Sequence, residues 1–321
     1  MGLKLTIALG PMAEPKVVVS RYALWKAAIK WPMYSVAVMP ALLAAGALLG
    51  QELQPRWGQL GFFLLAAVLL LGWENLSNDV FDADTGVDSK GKPHSLVNLT
   101  GRRDRIATAA NGCLLLGLGL MALVASCSAG AVLPLVFACC GIGYLYQGPP
   151  FRLGYRGLGE PLCWVAFGPL ASAAALLALA PTNFFAANTI PWGMALQLGA
   201  GSAVATSLVL FCSHFHQVEE DAKNGKYSPV VRLGSAKAAA LVPWFVAACF
   251  GLQWLPVFTG SWPPSALLGV IGLPAALQLI RLLKRNHGDP SKIMGSKFLA
   301  LRFQALNGLG LAIGLALSMP R

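Results

Sequence analysis

Apolar runs of roughly 20 residues recur along most of this chain, and they leave it few ways to fold. A helix of that length crosses the ~30 Å hydrocarbon core of a bilayer, where each backbone N–H and C=O must be satisfied within the segment. The runs predict about nine spanning helices, at 31–50, 57–77, 105–126, 130–147, 159–180, 193–213, 236–257, 264–283 and 298–318. The expected fold class is therefore all-α: a polytopic membrane protein with its transmembrane helices around a central cavity capped by cytoplasmic loops. Composition agrees, because 56% hydrophobic and only 12% charged residues, with a mean hydropathy of +0.63, exclude a soluble enzyme with a large polar surface. No polar stretch is long enough to fold alone. Two parts are expected: an N-terminal arm, 1–30, and one membrane domain, 31–321.

The arm holds two prolines and a glutamate in its first 20 residues and no bounded apolar core before a small-residue site, so it does not read as a cleavable signal or a transit peptide. Ser20–Lys30 reads as an interfacial helix. The seven cysteines all lie in apolar runs without metal spacing and read as small buried hydrophobes.

Charge sets the expected orientation. With these spans, all of the 24 Lys and Arg except Arg56 and Arg321 fall on one side. The positive-inside rule makes that side, with the N-terminus, cytoplasmic. The net charge of +11 is thus spread over membrane loops, with no recognition module for nucleic acid. Anionic headgroups and an anionic substrate are the expected partners, and no obligate protein partner is evident.

Against this oily background two acidic loops stand out. The chain has 13 Asp and Glu, and Asp79, Asp82, Asp84, Asp88, Glu219, Glu220 and Asp221 fall in two short stretches. Each follows an apolar run, and carboxylates at a membrane helix end are costly unless a cation uses them. Oxygen-only clusters suit Mg²⁺, which is commonly shared between one or two carboxylates and a substrate phosphate. The loops also echo each other. After its acids, each runs through Gly-Lys (Gly91-Lys92, Gly225-Lys226) and a Ser (Ser95, Ser228) into a short apolar stretch, a repeat that suggests two facing half-sites.

Asp79 and Asp82 are three apart and share a face if the helix extends that far, whereas Asp84 points elsewhere. Asn78 offers a neutral carbonyl ligand. Gly86 permits a turn that brings Asp88 back toward the site. Gln217 and Asp221 are four apart, one above the other on a helix. Lys92 and Lys226 are placed to hold a diphosphate. Mixed charges in a loop ordinarily form a solvated face, but two matched clusters abutting apolar helices argue against that here. His214 and His216 fit a polar or substrate-contact role better than a Zn²⁺ site, since residues two apart do not share a helix face. Between helices four and five, Tyr144, Tyr146, Arg152, Tyr155 and Arg156 could contact an anion or a cation. An interfacial aromatic belt would look the same.

At these residues the chain resembles the UbiA superfamily of intramembrane aromatic prenyltransferases. The first family motif, Asn-Asp-x-x-Asp with a further Asp, stands here as Asn78, Asp79, Asp82 and Asp88. Gly86-x-Asp88 is similar to the naphthoate-specific branch. In the second motif Asp221 and Gly225-Lys226 match, but Gln217 replaces the first aspartate, and Glu219 is expected to take over its ligand role. The run His214-Phe215-His216-Gln217-Val218-Glu219 and the segment Gly148-Pro149-Pro150-Phe151-Arg152 resemble the plant and cyanobacterial phytyl-transferring members. The likeness covers nearly the whole chain.

That resemblance implies a reaction: 1,4-dihydroxy-2-naphthoate and phytyl diphosphate give a prenylated naphthoquinol, diphosphate and CO₂, in phylloquinone or menaquinone biosynthesis. It implies Mg²⁺ held by Asp79, Asp82, Asp88 and Asp221, with Asn78 and Glu219 completing the shell. Lys92, Lys226 and Arg152 would neutralise the diphosphate, with Gln217 at the substrate. Tyr144 or Tyr146 would shield the allylic cation in a water-poor cavity. A cyanobacterial plasma or thylakoid membrane is the expected location. The rivals are a different aromatic acceptor, such as homogentisate or 4-hydroxybenzoate, and an ion or phosphate transporter. A transporter would carry its acids deep within helices.

Overall fold

The computed structural model describes residues 24, 25, 28, 31–87, 94–186 and 189–317. Only three residues of the expected arm, including its interfacial helix, are among them, and all three are helical. The described residues form helices and no strands.

In chain order the helices are α1 (Trp31–Leu49), α2 (Trp57–Thr85), α3 (Leu96–Thr100), α4 (Arg103–Ser126), α5 (Val132–Gln147), α6 (Gly159–Leu179), α7 (Trp192–Ser213), α8 (Val218–Lys223), α9 (Pro229–Leu233), α10 (Ser235–Phe258), α11 (Pro264–Asn286) and α12 (Ser296–Ala316). Eight are long and apolar enough to cross a membrane. The ninth expected span is α5, whose 16 residues rise about 24 Å and fall short of the ~30 Å core. The chain is a multi-span membrane protein. All nine expected segments are helical.

The largest departure from the sequence expectation is at α2. It runs through 29 residues, about 43 Å, and so extends well past an apolar core. It stops at Gly86, whose φ of +77° is a left-handed cap that a side chain would strain. Asp79, Asp82 and Asp84 are therefore helical, past the expected end of the span at residue 77.

Bundle packing rests on small residues and interhelical amides. A Cβ on Gly199 of α7 would stand 2.5 Å from the Gly168 carbonyl oxygen, so α6 and α7 touch backbone to backbone. Pro169 lies in the same stretch of α6, and the helix takes up a π turn over Ala166–Leu170. Gln253 of α10 and Asn307 of α12 exchange amide hydrogen bonds of 2.8 and 2.9 Å, and Asn307 also donates to the Gly269 carbonyl of α11.

The repeat seen in the sequence has a structural counterpart. Ser95 and Ser228 are both fully buried, and each precedes a five-residue helix, α3 or α9. Each short helix ends at a positive-φ glycine, Gly101 or Gly234, after which a long membrane helix begins.

Candidate active site

The extension of α2 carries Asp79 and Asp82 on one face, and both are buried, at 1% and 2% exposure. Asp79 Oδ2 accepts from the Leu96 backbone N–H at 2.9 Å, which ties the acid to the start of α3. Asp82 Oδ1 accepts from the Tyr155 hydroxyl at 2.7 Å. Tyr155 sits in a single 3-10 turn, Leu153–Arg156, between α5 and α6. Burial, and then the charge of Asp82, push its phenol pKa well above the usual range, so it stays a donor.

The second acidic stretch begins where α7 ends. Gln217 caps α8, and its carbonyl accepts from the Asp221 N–H at 2.8 Å. Asp221 has no exposure, and neither of its carboxylate oxygens has a hydrogen-bond partner. His214 Nδ1 stands 3.4 Å from Asp221 Oδ2, and its Nε2 stands 4.0 Å from Glu160 Oε1. Glu160 opens α6 and is itself buried, with both oxygens lacking a hydrogen bond.

Gly225, at φ +73°, then turns the chain so that Lys226 points back toward α2. Its Nζ lies 3.8 Å from Asp82 Oδ2 and 5.3 Å from the centre of the Tyr155 ring. The connecting segments are also stitched along their backbones. Tyr227 N–H donates to the Tyr155 carbonyl at 2.8 Å, and the Arg232 guanidinium donates to the carbonyls of Tyr227 and Arg156. The two acidic stretches and the α5–α6 connection thus form one cluster.

The two candidate tyrosines of α5 differ. Tyr144 is exposed at 39%, and its hydroxyl donates to the Pro149 carbonyl. Tyr146 faces inward: its ring fills the space where side chains on Gly154 and Gly159 would stand. Arg152 has φ +42°, places its guanidinium carbon 5.8 Å over the Tyr155 ring, and leaves its buried Nε without a partner. Asn78 is partly buried on α2. Glu219 is exposed on α8, so it does not share the burial of Asp221. Asp84 points outward, as expected, into a two-pronged pair with Arg103 at 2.6 Å. Asp88 and Lys92 lie outside the described residues.

The sequence assigns no role to two residues in or beside the cluster, Glu74 and Glu160, and leaves the partners of Tyr155 and His214 open. Glu74 had a usable signal, because a carboxylate within an apolar run is rare. Glu160 gave none beyond lying in an already conspicuous segment.

The arrangement suits a hard cation shared with a phosphate. Among the described residues no three His, Cys, Asp or Glu converge closely enough to enclose a metal by themselves. Mg²⁺ does not need such a cage, since one or two carboxylates plus substrate phosphates commonly hold it. Asp221, with two buried oxygens that lack a hydrogen bond, is a carboxylate that such an ion would satisfy. Two surface cavities, of about 310 and 330 Å³, are lined by other residues, around Arg56 and around Lys284.

The sequence matches the UbiA prenyltransferase family over residues 37–303. It is 40% identical over 305 residues to the 2-carboxy-1,4-naphthoquinone phytyltransferase of Synechocystis sp., covering 95% of this chain and 96% of that one. It is also 40% identical to the chloroplastic enzyme of the same name from Arabidopsis thaliana, over 92% of this chain and 77% of that one. A 1,4-dihydroxy-2-naphthoate octaprenyltransferase of Mycobacterium tuberculosis is 26% identical over 83% and 88%. Among solved structures, a UbiA homolog from Archaeoglobus fulgidus bound to GPP and Mg²⁺ superposes with a TM-score of 0.56, at 16% identity over 93% of this chain and 99% of that one.

Proposed function

Because this chain belongs to the UbiA prenyltransferase family, we propose that the cluster of Asp79, Asp82, Asp221, Lys226 and Tyr155 is the diphosphate site of a phytyl transfer to a naphthoate. The observation that carries this reading is the convergence itself. Asp82 and Lys226 come from different acidic stretches and meet at 3.8 Å, beside an Asp221 whose carboxylate has no hydrogen bond.

The chain is a prenyltransferase, and its full-length relatives act on naphthoates. We assign phytyl diphosphate as donor and 1,4-dihydroxy-2-naphthoate as acceptor. The names of the 40% identical relatives carry the quinone, which is the two-electron-oxidised form of that acceptor. Attack on an allylic cation needs an electron-rich ring, so the hydroquinone is the reacting form.

Asp79, Asp82 and Asp221 would hold Mg²⁺, with Asp88 and Glu219 as further candidates. The ion supplies charge neutralisation of the diphosphate as it departs. Lys226 and Arg152 add fixed positive charge at the same end, and Lys92 belongs to the same proposal. Tyr155 holds Asp82 in place and faces both cations. Tyr146 lies inward of this group, where its ring can face the allylic carbon. The apolar helices below keep water from that carbon. We assign this face to the cytoplasm because the loop charges favour it, and a cyanobacterial membrane matches the Synechocystis relative.

The test is product formation by purified protein in nanodiscs. It would receive phytyl diphosphate with the acceptor kept reduced or oxidised, with Mg²⁺ or EDTA, alongside Asp82→Ala and Asp221→Ala. The expected result is a Mg²⁺-dependent prenylated naphthoquinol from the reduced acceptor alone, absent in both variants. Product from homogentisate or 4-hydroxybenzoate instead would keep the chemistry and replace the acceptor. No transfer to any ring would overturn the reading.

A further inference from the structure

We propose that Glu74 is the acceptor-binding residue: its carboxylate takes a hydrogen bond from a ring hydroxyl of the phenolic acceptor and sets which edge of that ring faces the diphosphate. This rests on the prenyl-transfer reading above.

Glu74 lies within the membrane span of α2, where an ionisable side chain is costly and marks function unless it is paired. Among the described residues its carboxylate has neither a hydrogen bond nor an ion pair. It occupies the same helical stripe as Asn78 and Asp82, at intervals of four, and so sits two turns deeper than Asp82, about 12 Å along the axis. That separation leaves room for the allylic carbon and one aromatic ring between the diphosphate end and Glu74.

The surroundings point the same way. Glu74 faces Gly143 of α5, where a Cβ would run into its carboxylate. Gln147, one turn further along α5, is 1% exposed; its Nε2 donates to the Glu74 carbonyl at 3.1 Å, and its buried Oε1 has no partner. Tyr146, beside Gln147 on α5, packs its ring against Gly154 and against Gly159 at the start of α6. Two free acceptors, Glu74 and Gln147 Oε1, therefore stand at the inner end of the site. A ligand presenting hydroxyl donors satisfies them, whereas an alkyl tail does not.

The acceptor of the proposed reaction has such donors. One of its hydroxyls lies beside the ring carboxylate and can bond to it internally, while the opposite hydroxyl is free. Glu74 repels the ring carboxylate and attracts the free hydroxyl. The ring is thereby turned with its carboxylate-bearing edge toward Lys226 and the departing diphosphate. The C1–O bond breaks with its electron pair going to diphosphate, and a ring electron pair forms the new carbon–carbon bond at the carboxylate-bearing carbon. The carboxylate then leaves as CO₂ and returns its bonding pair to the ring. No proton has to be removed, so Glu74 serves as a hydrogen-bond acceptor and orienting charge.

Steady-state kinetics of Glu74→Gln in nanodiscs test this, with acceptor, prenyl diphosphate and Mg²⁺ varied separately. The expected result is an acceptor KM raised about tenfold or more, the loss of one charged hydrogen bond, with the other two half-saturation values unchanged. Wild type should discriminate strongly, and Glu74→Gln weakly, against an acceptor whose free hydroxyl is methylated. Should Glu74→Gln not assemble, Gly143→Ala displaces the same carboxylate while adding the better helix former, and it should show the same selective rise. An unchanged acceptor KM, or equal rises for all three ligands, would overturn the inference. A wild-type protein that prenylates no phenolic acid would instead sink the functional reading on which it rests.

Discussion

Lys226 Nζ and Asp82 Oδ2 stand 3.8 Å apart with side chains only 8% and 2% exposed, joining the two acidic stretches of the chain by one buried ion pair. Removing one partner of such a pair leaves an uncompensated charge, a change that costs about 3–5 kcal/mol in fully buried cases. Lys226→Met keeps the length of the side chain and deletes the charge. It should lower the melting temperature in EDTA, and Mg²⁺ should restore more stability to the variant than to wild type, because the ion replaces the ammonium beside Asp82. Equal Mg²⁺ responses in the two proteins would argue that no cation binds at Asp82.

Tyr155→Phe removes only the hydroxyl, which donates to Asp82 and also meets the Thr85 hydroxyl at 2.8 Å. The ring that faces Lys226 and Arg152 remains, while the 2.7 Å donation to Asp82 is lost. Hydrogen bonds to charged groups contribute roughly 1.5–3 kcal/mol, so kcat/KM for the prenyl diphosphate should fall at least about tenfold. The phenol is held well above its ordinary pKa by burial and by Asp82, so it remains protonated across the working range. The ratio of wild-type to variant rates should therefore stay constant from about pH 7 to about pH 10. A ratio that collapses on the alkaline side would show that the hydroxyl ionises there.

The membrane architecture and both acidic stretches were legible in the sequence because hydropathy and charge report solvation, which is local. What joins the stretches was not, because it depends on chain paths several helices apart. Lys226 was singled out as a phosphate ligand, but its partner Asp82 is far away in sequence. Tyr155 lay in a segment where an aromatic belt looks the same as a site, and only the fold puts its hydroxyl on Asp82. Glu219 was expected beside Asp221 by analogy with a motif, yet two positions along a single helical turn send those side chains in different directions, one exposed and one buried. Asp84 is the opposite case: its spacing alone sets it apart from Asp79 and Asp82.

Asp84 supplies a negative control within the same motif. Its pair with Arg103 has good geometry, but the side chains are 34% and 45% exposed. Surface pairs of this kind contribute about 0–1 kcal/mol. Asp84→Ala should leave the Mg²⁺ dependence and both substrate KM values unchanged and shift the melting temperature little. A loss comparable to that of Asp82→Ala would mean that the outward-facing acid takes part in the site after all.

His216 gives the site a pH dependence of stability with a definite sign. Its Nδ1 is buried without a partner, and its pKa is lowered from 6.5 to about 4, first by burial and then by the nearby positive charges of Lys297 and His214, with Asp221 acting in the opposite direction. The folded state therefore holds the neutral ring, while the unfolded chain binds a proton near its ordinary pKa. Above the unfolded value the two states carry the same number of protons, and stability does not depend on this residue. As pH falls through the window from about 6.5 to about 4, the unfolded state gains a proton that the folded state resists, so stability declines, and below that window it levels off. The whole effect is on the order of 3 kcal/mol at about 1.4 kcal/mol per unit. Other carboxylates titrate in the same range, so the informative quantity is the difference between wild type and His216→Leu in melting temperature across the window. The variant should lose less stability on acidification. Parallel curves would mean that the ring takes up its proton in place, which the surrounding burial and positive charge argue against.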